Sequence, residues 1–149
     1  MNFKKIIKYV ICLIPWFLSS LLFSADTSYY KTLNLPWFAP SSIVFPIAWT
    51  ILYILIAYSI YLTIDKADRE YKIILAVNYI LNQLFTFSFF GLKNIFVGFI
   101  NTLAVFLTSL FLYEATKKIN KKASYFLIPY LLWGGYATIL LLTIYFLNR

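Results

Sequence analysis

The sequence contains no histidine and a single cysteine, Cys12, among its 149 residues. Histidine and cysteine are the usual ligands of zinc and other soft metals, so no metal site is expected. A single cysteine also leaves no disulfide within the chain. Only five residues are acidic, and each lies at the edge of an apolar run or between two runs. No carboxylate pair is therefore placed for acid–base chemistry inside a membrane, which weighs against a hydrolase or a proton pump.

Apolar residues are abundant in this sequence. They make up 62% of the chain, the mean hydropathy is +0.81, and 12% of residues are charged, against about 25% in an ordinary soluble domain. A helix needs about 20 apolar residues to span the hydrocarbon core. Five runs meet this requirement, and we predict an all-α membrane protein in which residues 1–149 form one domain of five transmembrane helices, at about 6–24, 43–64, 73–90, 95–113 and 124–147.

The net charge of +8 comes from thirteen Lys and Arg residues, which lie in short clusters between the apolar runs. This position is typical of membrane-flanking charge, so the lipid bilayer is expected as a partner and nucleic acid is not. Ten of the cations lie before the first run or in the connections after the second and fourth runs, and three lie on the other side. The positive-inside rule then predicts a cytoplasmic N-terminus and an outside C-terminus. Low glycine with abundant lysine and isoleucine is compatible with a bacterial plasma membrane.

The first apolar run has an alternative interpretation as a secretory signal peptide, because Phe23-Ser24-Ala25 resembles a cleavage region. Phe23 is not a small residue, however, and the Pro15-Trp16 pair is unusual inside the apolar part of a signal peptide. A first transmembrane helix is the favoured interpretation.

The long connection 25–42 contains Pro36 and Pro40 among several aromatic residues. Each proline lacks a backbone donor and restricts the residue before it, so we predict a stiff loop without regular helix at the non-cytoplasmic side. Two interpretations stay open for its aromatic residues. They form part of the interfacial aromatic belt, or they form a lid over a cavity in the bundle.

The third run has the densest set of polar residues within the predicted spans, and positions 78, 82, 85, 86 and 89 share one helix face. Buried amides are costly in hydrocarbon, so this face should point into the bundle. It serves either hydrogen bonds between helices or contact with a ligand. In the fifth run, Trp133 precedes Gly134 and Gly135, which permit close approach of a neighbouring helix.

Five separated motifs resemble the TspO/MBR family of tryptophan-rich sensory and translocator proteins, also called the peripheral benzodiazepine receptor family. In chain order they are Leu35-Pro36-Trp37-Phe38-Ala39-Pro40, Val44-Phe45-Pro46-Ile47-Ala48-Trp49-Thr50-Ile51-Leu52-Tyr53, Asn82 with Phe89-Phe90-Gly91, Pro129-Tyr130-Leu131-Leu132-Trp133, and Ala137 with Leu147-Asn148.

The resemblance implies a five-helix bundle that acts as a sensor or in transport and binds apolar ligands in a pocket within the bundle. Family ligands include porphyrins such as protoporphyrin IX, haem, sterols, and isoquinoline or benzodiazepine compounds. No cofactor is required. Carried over by position, the family's lid residues are Phe38 and Pro40, and its pocket residues are Trp49, Tyr53, Asn82, Phe85, Val97, Asn101, Trp133, Ala137 and Leu140.

This chain departs from the family pattern at several of these positions. Ser41 replaces the second proline of a pair, and Phe85 replaces a tryptophan. The lack of histidine makes a metal-free porphyrin the expected ligand. The resemblance also implies a homodimer, although Ile73 and Val77 replace residues that are small in some relatives.

Two further functions stay open at this point. Family members have been linked to light-dependent oxidative breakdown of porphyrins, for which Trp49 and Trp133 are the catalytic candidates. A scaffold that binds no ligand is the other alternative, and it predicts a polar face of the third helix that points outward. Leu142, Tyr145 and Arg149 fit a loose sterol-contact pattern, but a Tyr and an Arg are also expected as interface anchors at any helix end.

Overall fold

The computed structural model describes residues 3–22 and 27–149, and all regular structure in these ranges is helical. The helices, in chain order, are α1 (Phe3–Leu13), α2 (Leu18–Leu22), α3 (Thr27–Thr32), α4 (Val44–Thr63), α5 (Arg69–Thr86), α6 (Ile95–Ile119), α7 (Lys121–Tyr125) and α8 (Ile128–Leu147). A 3₁₀ turn, Ile14–Phe17, joins α1 to α2, and a π-helical turn, Phe87–Gly91, extends α5.

Four helical segments of the described chain are long and apolar enough to cross a membrane: Val44–Lys66, Arg69–Gly91, Ile95–Ile119 and Lys121–Leu147. The protein is therefore an all-α, multi-pass membrane protein. The first apolar run is also helical but is not one continuous helix, because the 3₁₀ turn at Pro15 interrupts it. Proline lacks the N–H that an α-helix needs at this point. Residues 23 and 24 of the predicted first helix lie outside the described residues.

Capping and ion pairing account for helix ends that differ from those predicted. α5 begins at Arg69 rather than 73, because the Asp68 carboxylate accepts a hydrogen bond from the Tyr71 N–H at 2.8 Å. α6 continues to Ile119 rather than 113, and its added turns carry a Glu114–Lys117 ion pair. The predicted helix 124–147 is divided into α7 and α8, just before Pro129.

The expectation that 25–42 contains no regular helix was wrong, because α3 occupies Thr27–Thr32. The prolines restrict the backbone only from residue 35 onward, and the residues before it are free to form a helix. Residues 25 and 26 lie outside the described residues. We call Thr27–Ser42 the lid segment from here on.

The bundle has two different ends. At the basic end, the Lys8 ammonium pairs with the Asp65 carboxylate, which joins α1 to the α4–α5 connection. The Asn120 amide donates to the Leu62 carbonyl, so the α6–α7 connection lies at the same end. The three segments that hold ten of the thirteen cations therefore meet here, as the predicted topology requires. At the opposite end, the lid end, the lid segment approaches the end of α8 and the α5–α6 connection.

Helix packing produces two clusters of buried apolar side chains. α6 packs mainly along α5 and α8, while α1 packs on α4 and α2 on α5. The basic-end core comprises Trp16, Leu52, Tyr53, Ile56, Ile60, Tyr71, Val105, Leu112, Ala115, Leu127 and Tyr130. The lid-end core is smaller and comprises Tyr30, Phe89, Leu140, Leu141 and Ile144.

Candidate functional site

A cavity of about 390 Å³ lies between the two cores, below the lid segment. Helices α4, α5 and α8 form its walls, the N-terminal segment closes one side, and the lid segment contributes two residues. Eight of the lining residues are aromatic. The lining residues are Phe17, Ser20, Tyr30, Ser42, Phe45, Pro46, Trp49, Thr50, Tyr53, Asn82, Phe85, Thr86, Phe89, Phe90, Ala137, Leu140 and Leu141.

Trp49 is the central ring of the α4 wall. Its ring centroid lies 5.4 Å from that of Tyr53, with the two planes 33° apart. Trp133 contacts the edge of Trp49 at 6.5 Å and 83°. Phe85 and Phe89 stack on the α5 wall at 5.9 Å, with their planes 10° apart. The walls therefore present flat apolar faces held by edge contacts from behind.

Asn82 is the main polar group of the cavity, and it is only 3% exposed. Its amide oxygen accepts hydrogen bonds from the Tyr53 hydroxyl at 3.1 Å and the Gln83 amide at 3.3 Å, and its amide nitrogen donates to the Tyr130 hydroxyl at 3.2 Å. The Tyr130 hydroxyl in turn donates to the Asn78 amide oxygen at 3.1 Å. This chain of hydrogen bonds fixes the polar side of the cavity.

The polar face of α5 points into the bundle. Asn78 and Asn82 are buried, and Phe85, Thr86 and Phe89 line the cavity. Asn78 joins α5 to its neighbours: its amide nitrogen donates to the Thr108 hydroxyl at 2.9 Å and to the Val105 carbonyl at 3.2 Å on α6. The face therefore forms hydrogen bonds between helices at Asn78, and it lines the cavity from Asn82 onward.

A glycine on α6 determines the position of one cavity wall. A Cβ atom at Gly98 would lie 2.8 Å from the Phe89 ring, which is closer than real Cβ contacts. Only glycine lets α6 approach Phe89 this closely. The Phe89 ring therefore stands between α6 and the cavity.

Two tyrosine hydroxyls bond to carbonyls of the lid segment, one from within that segment and one from α8. The Tyr30 hydroxyl donates to the Pro40 carbonyl at 3.0 Å, and the Tyr136 hydroxyl on α8 donates to the Phe38 carbonyl at 2.9 Å. Burial, with a smaller effect of the nearby Tyr136, raises the pKa of Tyr30 to about 12. Tyr30 therefore remains a neutral hydrogen-bond donor throughout the physiological pH range.

A second set of contacts fastens the lid segment to the C-terminal end of α8. The Asn148 side-chain oxygen accepts from the Asn34 backbone N–H at 2.8 Å, and the Asn148 amide donates to the Asn34 carbonyl at 2.9 Å. We call this reciprocal pair the asparagine clasp. On the other side, the Tyr29 hydroxyl donates to the Lys93 carbonyl at 2.8 Å in the α5–α6 connection. The lid segment is thus tied to α8 at two places and to the α5–α6 connection at a third.

The structure brings together six of the residues named from the sequence, and the cavity is lined by Trp49, Tyr53, Asn82, Phe85, Ala137 and Leu140. Phe38 and Pro40 belong to the lid segment but do not line the cavity. Their carbonyls accept the hydrogen bonds that hold the lid segment. Trp133 does not line the cavity either, because it lies behind Trp49.

Val97 and Asn101 on α6 lie away from the cavity, because α6 packs behind α5 and α8. The Asn101 amide nitrogen donates to the Leu81 carbonyl of α5 at 3.2 Å, and its buried oxygen has no hydrogen-bond partner among the described residues. Asn101 therefore connects two helices in this structure. Val97 is half-buried.

The residues of the sterol-contact pattern lie near the lid end of α8, outside the cavity lining. The Tyr145 ring packs against Phe96 of α6 at 5.3 Å, and the Arg149 guanidinium lies 4.7 Å from the Phe146 ring centroid. Leu142 is half-buried on the same helix.

Several lining residues were not among the pocket residues that the family resemblance implied. Phe89 and Thr86 share the predicted inward face of α5, and Phe45 precedes Trp49 by one helical turn, so periodicity carried a signal for all three. No pattern in the sequence indicated Phe17, Ser20 or Tyr30. Their position depends on how the N-terminal segment and the lid segment pack.

Comparison with known proteins gives a consistent result. The TspO/MBR family profile matches residues 9–147. The tryptophan-rich protein TspO of Bacillus cereus is 34% identical over 136 residues, which cover 89% of this chain and 89% of that protein. The uncharacterized membrane protein YtaB of Bacillus subtilis is 36% identical over 131 residues, covering 85% of this chain and 84% of its own length.

A third relative, the tryptophan-rich protein TspO of Archaeoglobus fulgidus, is 31% identical over 99% of both chains. The family profile and these relatives cover nearly all the residues that build the helices, the lid segment and the cavity. The chain belongs to the TspO/MBR family.

Proposed function

We propose that this protein binds a metal-free porphyrin, or another flat apolar molecule such as an isoquinoline, benzodiazepine or sterol, in the cavity below the lid segment. The binding serves sensing or transport. The observation that carries the proposal is the cavity of about 390 Å³ between the rings of Trp49, Phe85 and Phe89. Ligand pockets in proteins range over roughly 300–1,000 Å³.

The chemistry of the lining suits a flat ligand. A macrocycle gains offset or edge contacts with Trp49 on one wall and with the stacked Phe85 and Phe89 on the other. Asn82 offers an amide to a ring nitrogen or carbonyl, and Ser42 and Thr50 provide hydroxyls at the cavity lining. Polar groups at few positions fix orientation, while the apolar rings supply most of the contact area.

Metal-free ligands are favoured because the cavity offers few groups for axial ligation of haem iron. The described lining contains no histidine or cysteine. The Tyr30 and Tyr53 hydroxyls are both engaged, by the Pro40 carbonyl and the Asn82 amide oxygen respectively. A haem would have to break one of these hydrogen bonds to gain a ligand.

The membrane arrangement completes the proposal. The segment Phe3–Leu22 forms a fifth span, packed on α4 and α5. The basic end faces the cytoplasm, because it holds ten of the thirteen cations. The lid segment and the cavity then lie toward the outer leaflet of a bacterial plasma membrane.

Tryptophan fluorescence titrated with protoporphyrin IX tests the binding proposal. We expect saturable quenching that falls strongly in Trp49→Phe, whose ring lines the cavity. Trp37→Phe is the matched control, since this ring is 96% exposed on the lid segment and lines no part of the cavity. Affinity should be unchanged in Trp37→Phe and only slightly lower in Trp133→Phe. Unsaturable quenching, or equal affinity in Trp49→Phe and the wild type, would contradict the proposal.

A second function, oxidative breakdown of a bound porphyrin, is favoured by one observation. Four oxidisable rings lie in contact, since Trp49 neighbours Tyr53 at 5.4 Å, Tyr130 at 6.3 Å and Trp133 at 6.5 Å. Light and oxygen would supply the oxidising power. Soret absorbance of the illuminated complex should then decay faster than in detergent alone, and more slowly in Trp49→Phe at saturating porphyrin. Equal decay with and without protein would exclude this function.

A further inference from the structure

A second concavity lies on the outside of the bundle, in its basic half, where α1 and α5 diverge. We call it the α1–α5 groove, and its volume is about 270 Å³. α1 packs on α4 while α2 packs on α5, so the 3₁₀ turn between them carries the N-terminal segment across this gap. The groove is lined by Ile11, Cys12, Pro15, Trp16, Ile60, Lys72, Leu75, Ala76 and Tyr79.

The groove is apolar along its length and has one cation at its end. Its α5 wall runs from Lys72 to Tyr79, about 10 Å at the usual helical rise. At the inner end, the Tyr79 hydroxyl donates to the Pro15 carbonyl at 2.9 Å, so the two polar atoms there satisfy each other. Lys72 is the only charged residue of the lining, and it is exposed.

Lys72 forms no ion pair with a carboxylate in the part of the chain that the structure describes. Within residues 3–22 and 27–149, the ion pairs are Lys8 with Asp65 and Lys117 with Glu114. Two acids lie close to it in sequence: Asp68, whose side chain caps α5, and Glu70, which is two positions away on α5 and so does not share its face. The neighbouring cation on α1, Lys8, is paired with Asp65 and lies over the Tyr61 ring. Lys72 is therefore free to meet an anion at the mouth of the groove.

We propose that the α1–α5 groove binds one acyl chain of an anionic phospholipid, with the lipid phosphate on the Lys72 ammonium. The groove accepts a flexible apolar chain, and the free cation at the basic end complements an anionic head group. This site is separate from the cavity and does not depend on the function proposed for the cavity.

Native mass spectrometry of the full chain tests the head-group preference. We expect more retained phosphatidylglycerol than phosphatidylcholine with identical acyl chains, by about fivefold, as the roughly 1 kcal/mol of one cation near a membrane surface implies. Lys72→Gln should abolish the preference. Lys118→Gln is the matched control, because it removes one cation from the basic end away from the groove and should keep the preference.

Cys12 provides a local measurement, since it lines the groove and is the single cysteine of the chain. In nanodiscs, phosphatidylglycerol should slow alkylation of Cys12 by N-ethylmaleimide compared with phosphatidylcholine alone. Ala76→Trp fills the groove and leaves Lys72 in place, so it should abolish both the retained lipid and the lipid dependence of alkylation. This variant separates occupancy of the groove from a general effect of anionic charge on the thiol.

Equal retention of the two lipids by the wild type, or a preference that persists in Lys72→Gln or in Ala76→Trp, would overturn the proposal. Protoporphyrin titration of the same variants should match the wild type, because neither residue lines the cavity. If the wild type failed to bind porphyrin but kept its preference for phosphatidylglycerol, the result would count against the function proposed for the cavity. It would leave the lipid site unaffected.

Discussion

The two halves of this bundle are built in different ways. The basic-end core is the larger one, and small polar side chains such as Ser59 and Thr63 are fully buried there and satisfied by backbone carbonyls or by Tyr71. The lid-end core is small, it borders the cavity, and hydrogen bonds to backbone carbonyls hold the lid segment above it. The larger apolar core thus lies toward the basic end, and the larger cavity lies toward the lid end.

The largest expected effect is on the free energy of unfolding, which should fall more for a truncation in the basic-end core than for one in the lid-end core. Ile56→Ala removes a side chain that is 0% exposed in the basic-end core, and such truncations cost about 2–5 kcal/mol. Leu140 borders the cavity, so Leu140→Ala removes fewer contacts. Its cost in stability should fall at the lower end of that range. Unfolding by sodium dodecyl sulfate in mixed micelles measures both. An equal loss of stability would show that the halves do not differ.

The next effect concerns Asn82, where the two halves meet. Asn82→Ala removes the amide acceptor of the buried Tyr53 hydroxyl and one of the two amide contacts of the Tyr130 hydroxyl, at a cost of about 1–3 kcal/mol. Ligand affinity should also fall, since the polar side of the cavity is lost. Asn94→Ala is the control, because it removes an exposed helix cap at the lid end that does not line the cavity. Unfolding curves and porphyrin titrations on both variants check this prediction.

A smaller and more selective effect is expected at Gly98. Gly98→Ala places a methyl group against the Phe89 ring and pushes that ring toward the cavity. Porphyrin affinity should fall severalfold while the unfolding midpoint changes little. Gly135→Ala is the matched control on α8, where the added Cβ would lie 3.4 Å from Phe106, an ordinary contact. Equal porphyrin affinities for the two variants would exclude a role of the Phe89 wall in binding.

The smallest effect should come from the asparagine clasp. Asn148→Ala removes two short hydrogen bonds to Asn34, each worth about 0.5–1.5 kcal/mol, from an exposed site. We expect a faster dissociation of porphyrin and little change in unfolding. Stopped-flow displacement measures the rate, and Thr143→Ala, which loses only a hydrogen bond within α8, serves as the control. An unchanged dissociation rate would show that the lid segment does not limit exit.

The sequence predicted the membrane-spanning helices and the inward polar face of α5, because both follow from apolar length and helical period. Of the seventeen residues that line the cavity, the family resemblance named six as pocket residues, including Trp49, Asn82 and Phe85. It did not show that Trp133 lies behind Trp49, or that α6 packs behind α5 and α8 and so keeps Val97 and Asn101 from the cavity. A motif identifies a residue but not the side chain that stands in front of it. Which side chain lies nearest the cavity depends on close contacts such as that of Gly98 with Phe89.

The asparagine clasp has a practical consequence for how the protein is handled. Asn148 precedes Arg149, so any affinity tag or fluorescent protein fused after Arg149 would begin one residue from a contact that holds the lid segment. Such a fusion is expected to alter ligand exit without any change in the cavity itself. Tags belong at the N-terminal end, which lies on the opposite side of the bundle beside Lys8 and Asp65. Binding constants from C-terminal fusions should be compared with those of the protein after tag removal.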